Sequence, residues 1–125
     1  MNSLETKQKN NLRTGIELAC EIKSTSSDLR KFIIVRGYTY DDKDKYKSLD
    51  KIIKPSLDDE IYFEIRIYEV KKENCQNGFD IIDDMLINDF IIEDIKGFKQ
   101  LEKRLEKYIQ DFAILQPSWN CENPI

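Results

Sequence analysis

Ile61, Phe63, Ile65 and Ile67 alternate with Tyr62, Glu64, Arg66 and Tyr68. A period of two marks a half-buried β-strand, because successive side chains leave opposite faces of the pleat. Glu60 to Val70 therefore predicts a strand with an Ile/Phe face in a core and an opposite face of aromatics, a carboxylate and a guanidinium. The same alternation sets Ile16, Leu18, Cys20 and Ile22 against Glu17, Ala19, Glu21 and Lys23, and the Ser24 to Asp28 turn cluster ends it. Lys31 to Tyr40 predicts another strand, with Phe32, Ile34, Tyr38 and Tyr40 on one side and Ile33 and Val35 on the other. The short polar link between these two strands predicts a hairpin.

A helical period takes over toward the C-terminus. Ile95, Phe98, Leu101, Leu105, Tyr108 and Ile109 form one stripe opposite Lys99, Lys103, Glu106 and Lys107. This predicts a helix from Asp94 to Gln110, capped by Asp94 and lying across the sheet. Ser48 caps a short predicted helix through Leu49, Ile52 and Ile53, which Pro55 stops. Lys71 to Gly78 reads as a polar turn. Phe79 to Asp94 fits two patterns, and its length favours a short helix followed by a strand near Asp89 to Glu93. Phe112 to Leu115 suggests a short final strand, and residues 116–125 form a tail in which Trp119 is expected to fold back on a core edge. Residues 1–14 are polar and read as a flexible arm or one short helix. The fold class expected is α+β, one domain over residues 1–125. It has an antiparallel sheet of four to five strands, one long C-terminal helix and one or two short helices.

Composition narrows what such a domain does. A chain of 125 residues, 40% of them hydrophobic, can bury a core without disulfides or a metal. Cys20, Cys75 and Cys121 are widely spaced and odd in number, and histidine is absent, so a structural zinc site is not expected. Cys20 falls in a strand pattern and reads as a small core hydrophobe. No charged-then-apolar leader and no apolar run of membrane-spanning length occurs, which points to the cytoplasm. The net charge is −4, and Lys7, Lys9 and Arg13 at the N-terminus leave the rest of the chain more acidic still. An acidic body argues against nucleic acid as a partner and is suited to a basic protein.

Histidine-free chemistry excludes Ser-His-Asp and Cys-His sites. The glycines, at 15, 37, 78 and 97, form no phosphate-cradling loop, so no nucleotide cofactor is expected. Carboxylate chemistry stays open. Asp58 or Asp59 followed by Glu69-Val70-Lys71 resembles the D…E-x-K arrangement of PD-(D/E)xK nucleases. That resemblance implies a divalent ion held by an acid and a strand-borne Glu, with Lys assisting the attacking water. The same E-x-K spacing recurs at Glu21-Ile22-Lys23. Asp80, Asp83, Asp84 and Asp89 form the densest acidic group, without the alternation of an EF-hand loop.

Small size, an acidic body, no histidine and aromatic-rich strand faces resemble bacterial toxin-immunity proteins of contact-dependent inhibition and related polymorphic toxin systems. The resemblance is one of profile, and it implies a non-catalytic cytoplasmic protein that binds one cognate toxin, often a basic nuclease, with no cofactor, nucleic acid or membrane involved. The expected contact residues are Tyr62, Glu64, Arg66 and Tyr68 on the strand face, with Asp80, Asp83 and Asp84 beside them. A metal-dependent hydrolase of the PD-(D/E)xK type and a generic regulatory or scaffold subunit are the alternatives, and homo-oligomerisation is left open.

Overall fold

A computed structural model describes residues 3–38, 61–76 and 85–121. Over these residues the chain runs through α1 (Thr6–Arg13), β1 (Leu18–Ile22), β2 (Leu29–Tyr38), β3 (Tyr62–Lys71), α2 (Lys72–Gln76), β4 (Ile87–Lys96), α3 (Gly97–Leu105) and β5 (Gln116–Pro117). The five described strands form one sheet in the order β4-β3-β2-β1-β5, every neighbour antiparallel. The architecture is α+β.

Register explains how strands with the same alternation make a single core. Leu18 lies opposite Val35, Val35 opposite Ile65, and Ile65 opposite Ile92, an apolar row crossing four strands. Cys20, Ile33, Ile67 and Phe90 make a second row, and Gly37, Phe63 and Ile95 a third. Leu4 and Leu12 of the N-terminal segment, Phe98, Leu101 and Leu105 of α3, and Ile109, Phe112 and Leu115 beyond it pack on this face. Phe98 meets Phe63 with ring centroids 4.9 Å apart.

The N-terminal segment is a docked helix. Gln8 is buried, and its amide donates to the carbonyls of Phe112 (2.7 Å) and Leu115 (2.9 Å), while its Oε1 accepts from the Glu5 N–H at 2.8 Å. The Leu4 N–H donates to Glu102 Oε2 at 2.8 Å, joining the segment to α3. A Cβ at Gly37 would stand 2.8 Å from the Leu12 carbonyl oxygen, so α1 crosses β2 at the position that has no side chain. Gly15, with φ +85°, then turns the chain out of the helix toward β1.

The predicted long helix is shorter than its stripe. Phe98, Leu101 and Leu105 are buried on α3 as expected, but α3 has nine residues; Ile95 reaches the core from β4 and Ile109 from the turn after the helix. Asp94 is not its cap. It lies within β4 at φ +58°, its carboxylate accepts from the Tyr38 hydroxyl at 2.6 Å, and the residue before the helix is Lys96. Phe112–Ile114 is a 3-10 turn, held by the Asp111 carboxylate accepting from the Ala113 N–H, and the last strand is Gln116–Pro117 on the edge of β1. Of the polar turn expected at Lys71 to Gly78, Lys71 ends β3 and Lys72–Gln76 form the short helix α2. Trp119 does not fold back: it is 69% exposed. The helix expected at Ser48 to Ile53 lies outside the described residues, as do Phe79 to Asp84. Among the described residues no helix is long and apolar enough to cross a membrane.

β4 departs from regular pairing twice. Between Phe63/Ile95 and Ile65/Ile92, and again between Ile67/Phe90 and Glu69/Ile87, it carries one residue more than β3. These are β-bulges, and Asp94 (φ +58°) and Asn88 (φ +53°) occupy them, the two residue types that best tolerate the left-handed region after glycine.

Candidate functional site

The sheet face opposite α1 and α3 is built by the alternate set of residues. Arg30, Phe32, Ile34, Arg36 and Tyr38 on β2 stand beside Tyr62, Glu64, Arg66, Tyr68 and Val70 on β3, with Glu21 of β1 flanking them. Among the described residues an ion pair crosses each seam from β1 to β4. Arg30 donates from Nε and Nη2 to the two Glu21 oxygens, both at 2.9 Å, joining β1 to β2. Arg36 Nε reaches Glu64 Oε1 at 2.9 Å, joining β2 to β3. Arg66 donates to both Asp89 oxygens at 2.9 and 2.8 Å, joining β3 to β4.

Each of these arginines also lies over the aromatic ring two residues further along its own strand. The guanidinium carbon is 5.1 Å from the Phe32 centroid for Arg30, 6.0 Å from Tyr38 for Arg36, and 5.9 Å from Tyr68 for Arg66. A spacing of two puts both side chains on one face, where the ring's negative π surface attracts the cation. Carboxylate and ring together hold each guanidinium in one orientation. The hydrogen bonds from Arg30 and Arg66 hold the Glu21 and Asp89 carboxyls below their ordinary values, so these acids keep their charge.

The face divides into a closed end and an open end. Phe32 stacks on Tyr68 at 5.6 Å, and with Val70 they form a second apolar cluster joined by Ile34, Leu86 and Cys121. Tyr68 has no exposed surface. The expectation that Tyr68 projects as a contact residue is corrected: the segment around Leu86 and Cys121 supplies a cover the alternation of β3 could not reveal. Toward the open end, Glu17, Ile34, Arg36, Glu64 and Arg66 line a hollow of about 290 Å³. Beside it Tyr38 stacks on Tyr62 at 6.2 Å, and its hydroxyl spans β3 to hold Asp94 in the β4 bulge. The hollow thus presents two cations and two carboxylates around an apolar floor. Such a site can bind a polar side chain by exchanging one fixed ion-pair partner for another, without creating an unpaired charge.

Of the expected contact residues, Tyr62, Glu64 and Arg66 are half-buried on this face. Asp80, Asp83 and Asp84 lie outside the described residues, as do Asp58 and Asp59. Asp89, read with the acidic group, serves as the partner of Arg66. Glu69 and Lys71 of the nuclease-like pattern part company: Lys71 is exposed, whereas Glu69 is buried on the helix side of the sheet. There the Ser24 hydroxyl donates to Glu69 Oε2 at 2.5 Å and the Asn88 amide to Oε1 at 3.0 Å, and these bonds, Ser24's first, hold its carboxyl below the ordinary value. Among the described residues no three Cys, Asp or Glu side chains stand close enough to hold a metal ion. The residues the sequence reading missed are Arg30, Arg36 and Glu17. The recurring Arg-x-aromatic spacing was the signal for the two arginines; Glu17 reaches the hollow only through the sheet's assembly.

The chain matches no known family model, no curated protein and no solved structure.

Proposed function

We propose that this is a non-catalytic cytoplasmic protein that works by binding another protein, and specifically an immunity protein that neutralises a basic toxin domain. The observation that supports the reading is the set of arginines and tyrosines around the hollow, each held in place before any partner arrives. Arg and Tyr dominate the energetics of protein interfaces, and side chains already fixed lose less entropy on binding. The acidic chain, at −4, would draw a basic domain toward this face.

The test is to combine the purified chain with toxin domains encoded beside its gene and follow binding by surface plasmon resonance. A stable complex is expected, and Tyr62→Ala or Arg66→Ala should raise the off-rate by about tenfold or more while melting curves stay close to wild type. Absence of any complex would overturn the reading. So would hydrolysis of DNA or RNA with magnesium or manganese that both Glu69→Gln and Lys71→Ala abolish, since that result belongs to the metal-dependent hydrolase.

A further inference from the structure

β4 ends the sheet, and its outer edge has no strand beside it among the described residues. Edge strands are normally blunted by charges, by bulges or by a covering element, because their unpaired N–H and C=O groups accept a further strand. In β4 both bulges lie toward the ends, at Asn88 and Asp94. Between them stands Phe90-Ile91-Ile92, regularly paired to β3 on its inner side. Phe90 is 42% exposed and Ile91 47%, on opposite faces of the sheet. Phe90 belongs to the helix side, 6.4 Å from the Tyr108 ring, and Ile91 lies opposite Arg66 on the open side. An added strand would therefore find both backbone partners and apolar contact above and below the sheet.

We infer that the outer edge of β4, over Asp89 to Glu93, is a strand-addition site for an extended segment of a protein partner with apolar residues at its centre and lysine or arginine flanking them. The inference rests on the reading of the chain as a binding protein and says where and how a partner would be held. Charge selects this occupant. β4 carries Asp89, Glu93 and Asp94 against Lys96; Arg66 already pairs with Asp89, so Glu93 and Asp94 hold the remaining acidic excess that a basic strand complements. A second copy of the chain does not. Antiparallel self-pairing centred on Ile91 sets Asp89 opposite Glu93 of the other copy, and a one-residue slip would turn the apolar face of one copy to the open side of the other. Like charges directly opposed across a pair are destabilising. The two bulges confine pairing to the short segment between them, so side chains, more than backbone, must set the choice of partner.

The experiment pans a phage-displayed library of random linear peptides against the full chain and measures the enriched peptides by fluorescence anisotropy and amide chemical shifts. Enrichment of peptides alternating apolar with basic residues is expected, with shift changes centred on residues 89–93. Ile91→Lys, which leaves the backbone able to pair, should weaken binding about tenfold or more, and Glu93→Lys should move the selected preference toward acidic peptides. Peptides that shift the Arg36/Glu64/Arg66 hollow and bind Ile91→Lys unchanged would overturn the edge site while leaving the binding reading in place. Failure of every peptide to enrich would overturn the edge site, and the toxin-binding measurement would still decide the broader reading. A concentration-dependent dimer of the full chain, abolished by Ile91→Lys, would replace the basic partner with a second copy.

Discussion

Val35 and Arg36 are consecutive on β2 and are held by different physics. Val35 is fully buried in a row of apolar side chains, and α1, α3 and the segment after α3 close the face over it. Arg36 remains half exposed, fixed by Glu64 across the seam and by Tyr38 two residues along. The covered face draws its stability from removing apolar area from water, a term that depends on segments far away in sequence. The open face is ordered by pairs between adjacent strands, each weak because water screens it, yet each directional. One face thus supplies most of the folding energy, and the other can spare its groups for recognition.

The largest test of that contrast is a residue that breaks it. Leu101 on α3 should cost about 2 to 5 kcal/mol when changed to Ala, as a filled core position does. Tyr68 has the strand parity of the open face but the burial of the covered one, and Tyr68→Ala should cost about 3 to 5 kcal/mol. Tyr62→Ala, on the same face of β3 but half-buried, should cost much less. Urea denaturation of the three variants checks the order. A Tyr68→Ala loss as small as that of Tyr62→Ala would mean that the Phe32/Tyr68/Val70 cluster contributes little.

Tyr68 also shows where the sequence stopped being legible. Alternation placed Phe63, Ile65 and Ile67 of β3 in the core correctly and set Ile33 and Val35 of β2 together on one side, because strand parity is local. The stripe Phe98, Leu101, Leu105 was legible for the same reason. What covers the other face is not local: Leu86 and Cys121 lie distant in sequence from Phe32 and shield it only once the sheet has formed. The N-terminal segment is the short helix that was one of its two expected forms, but its docking was not legible, because its anchor is Gln8, a polar residue whose burial depends on two carbonyls more than a hundred positions away. Asp94 resembled a helix cap because Asp suits both a cap and a left-handed bulge, and only the Tyr38 hydroxyl distinguishes the two.

A smaller effect separates a buried carboxylate from the exposed pairs. The Glu69 carboxyl lies below its ordinary value of 4.5, chiefly through the Ser24 hydroxyl and then the Asn88 amide. A carboxyl lowered by folding contributes stability that is complete above the unfolded value and is lost as pH falls through the folded one. Glu69→Gln should therefore cost about 1 to 3 kcal/mol at neutral pH and flatten the decline in stability as pH falls below the ordinary carboxyl value of 4.5. Urea midpoints across that range report it. An unchanged slope in the variant would shift the acid sensitivity to Glu21 and Asp89, whose carboxyls are also lowered but whose side chains are more exposed.

The smallest expected effect concerns the hollow itself. Arg36 and Glu64 keep 48% and 23% of their side-chain surface, so their ion pair works in a medium close to water. A double-mutant cycle with Arg36→Ala and Glu64→Ala should return a coupling of about 0.2 to 1 kcal/mol, falling further as salt shortens the screening length from about 8 Å to about 3 Å. The bidentate Arg66–Asp89 pair, less exposed on its arginine side, should couple more strongly and lose less of that coupling to salt. The comparison bears on recognition, because a partner that exchanges into the hollow must displace the weaker pair first. Arg36 and Glu64 are thus the groups expected to change partners, while Arg66 stays fixed to β4 as the platform on which they turn. Equal, salt-insensitive couplings of several kcal/mol would mean that both pairs are locked, and the open face would then be a structural surface that the protein does not use for exchange.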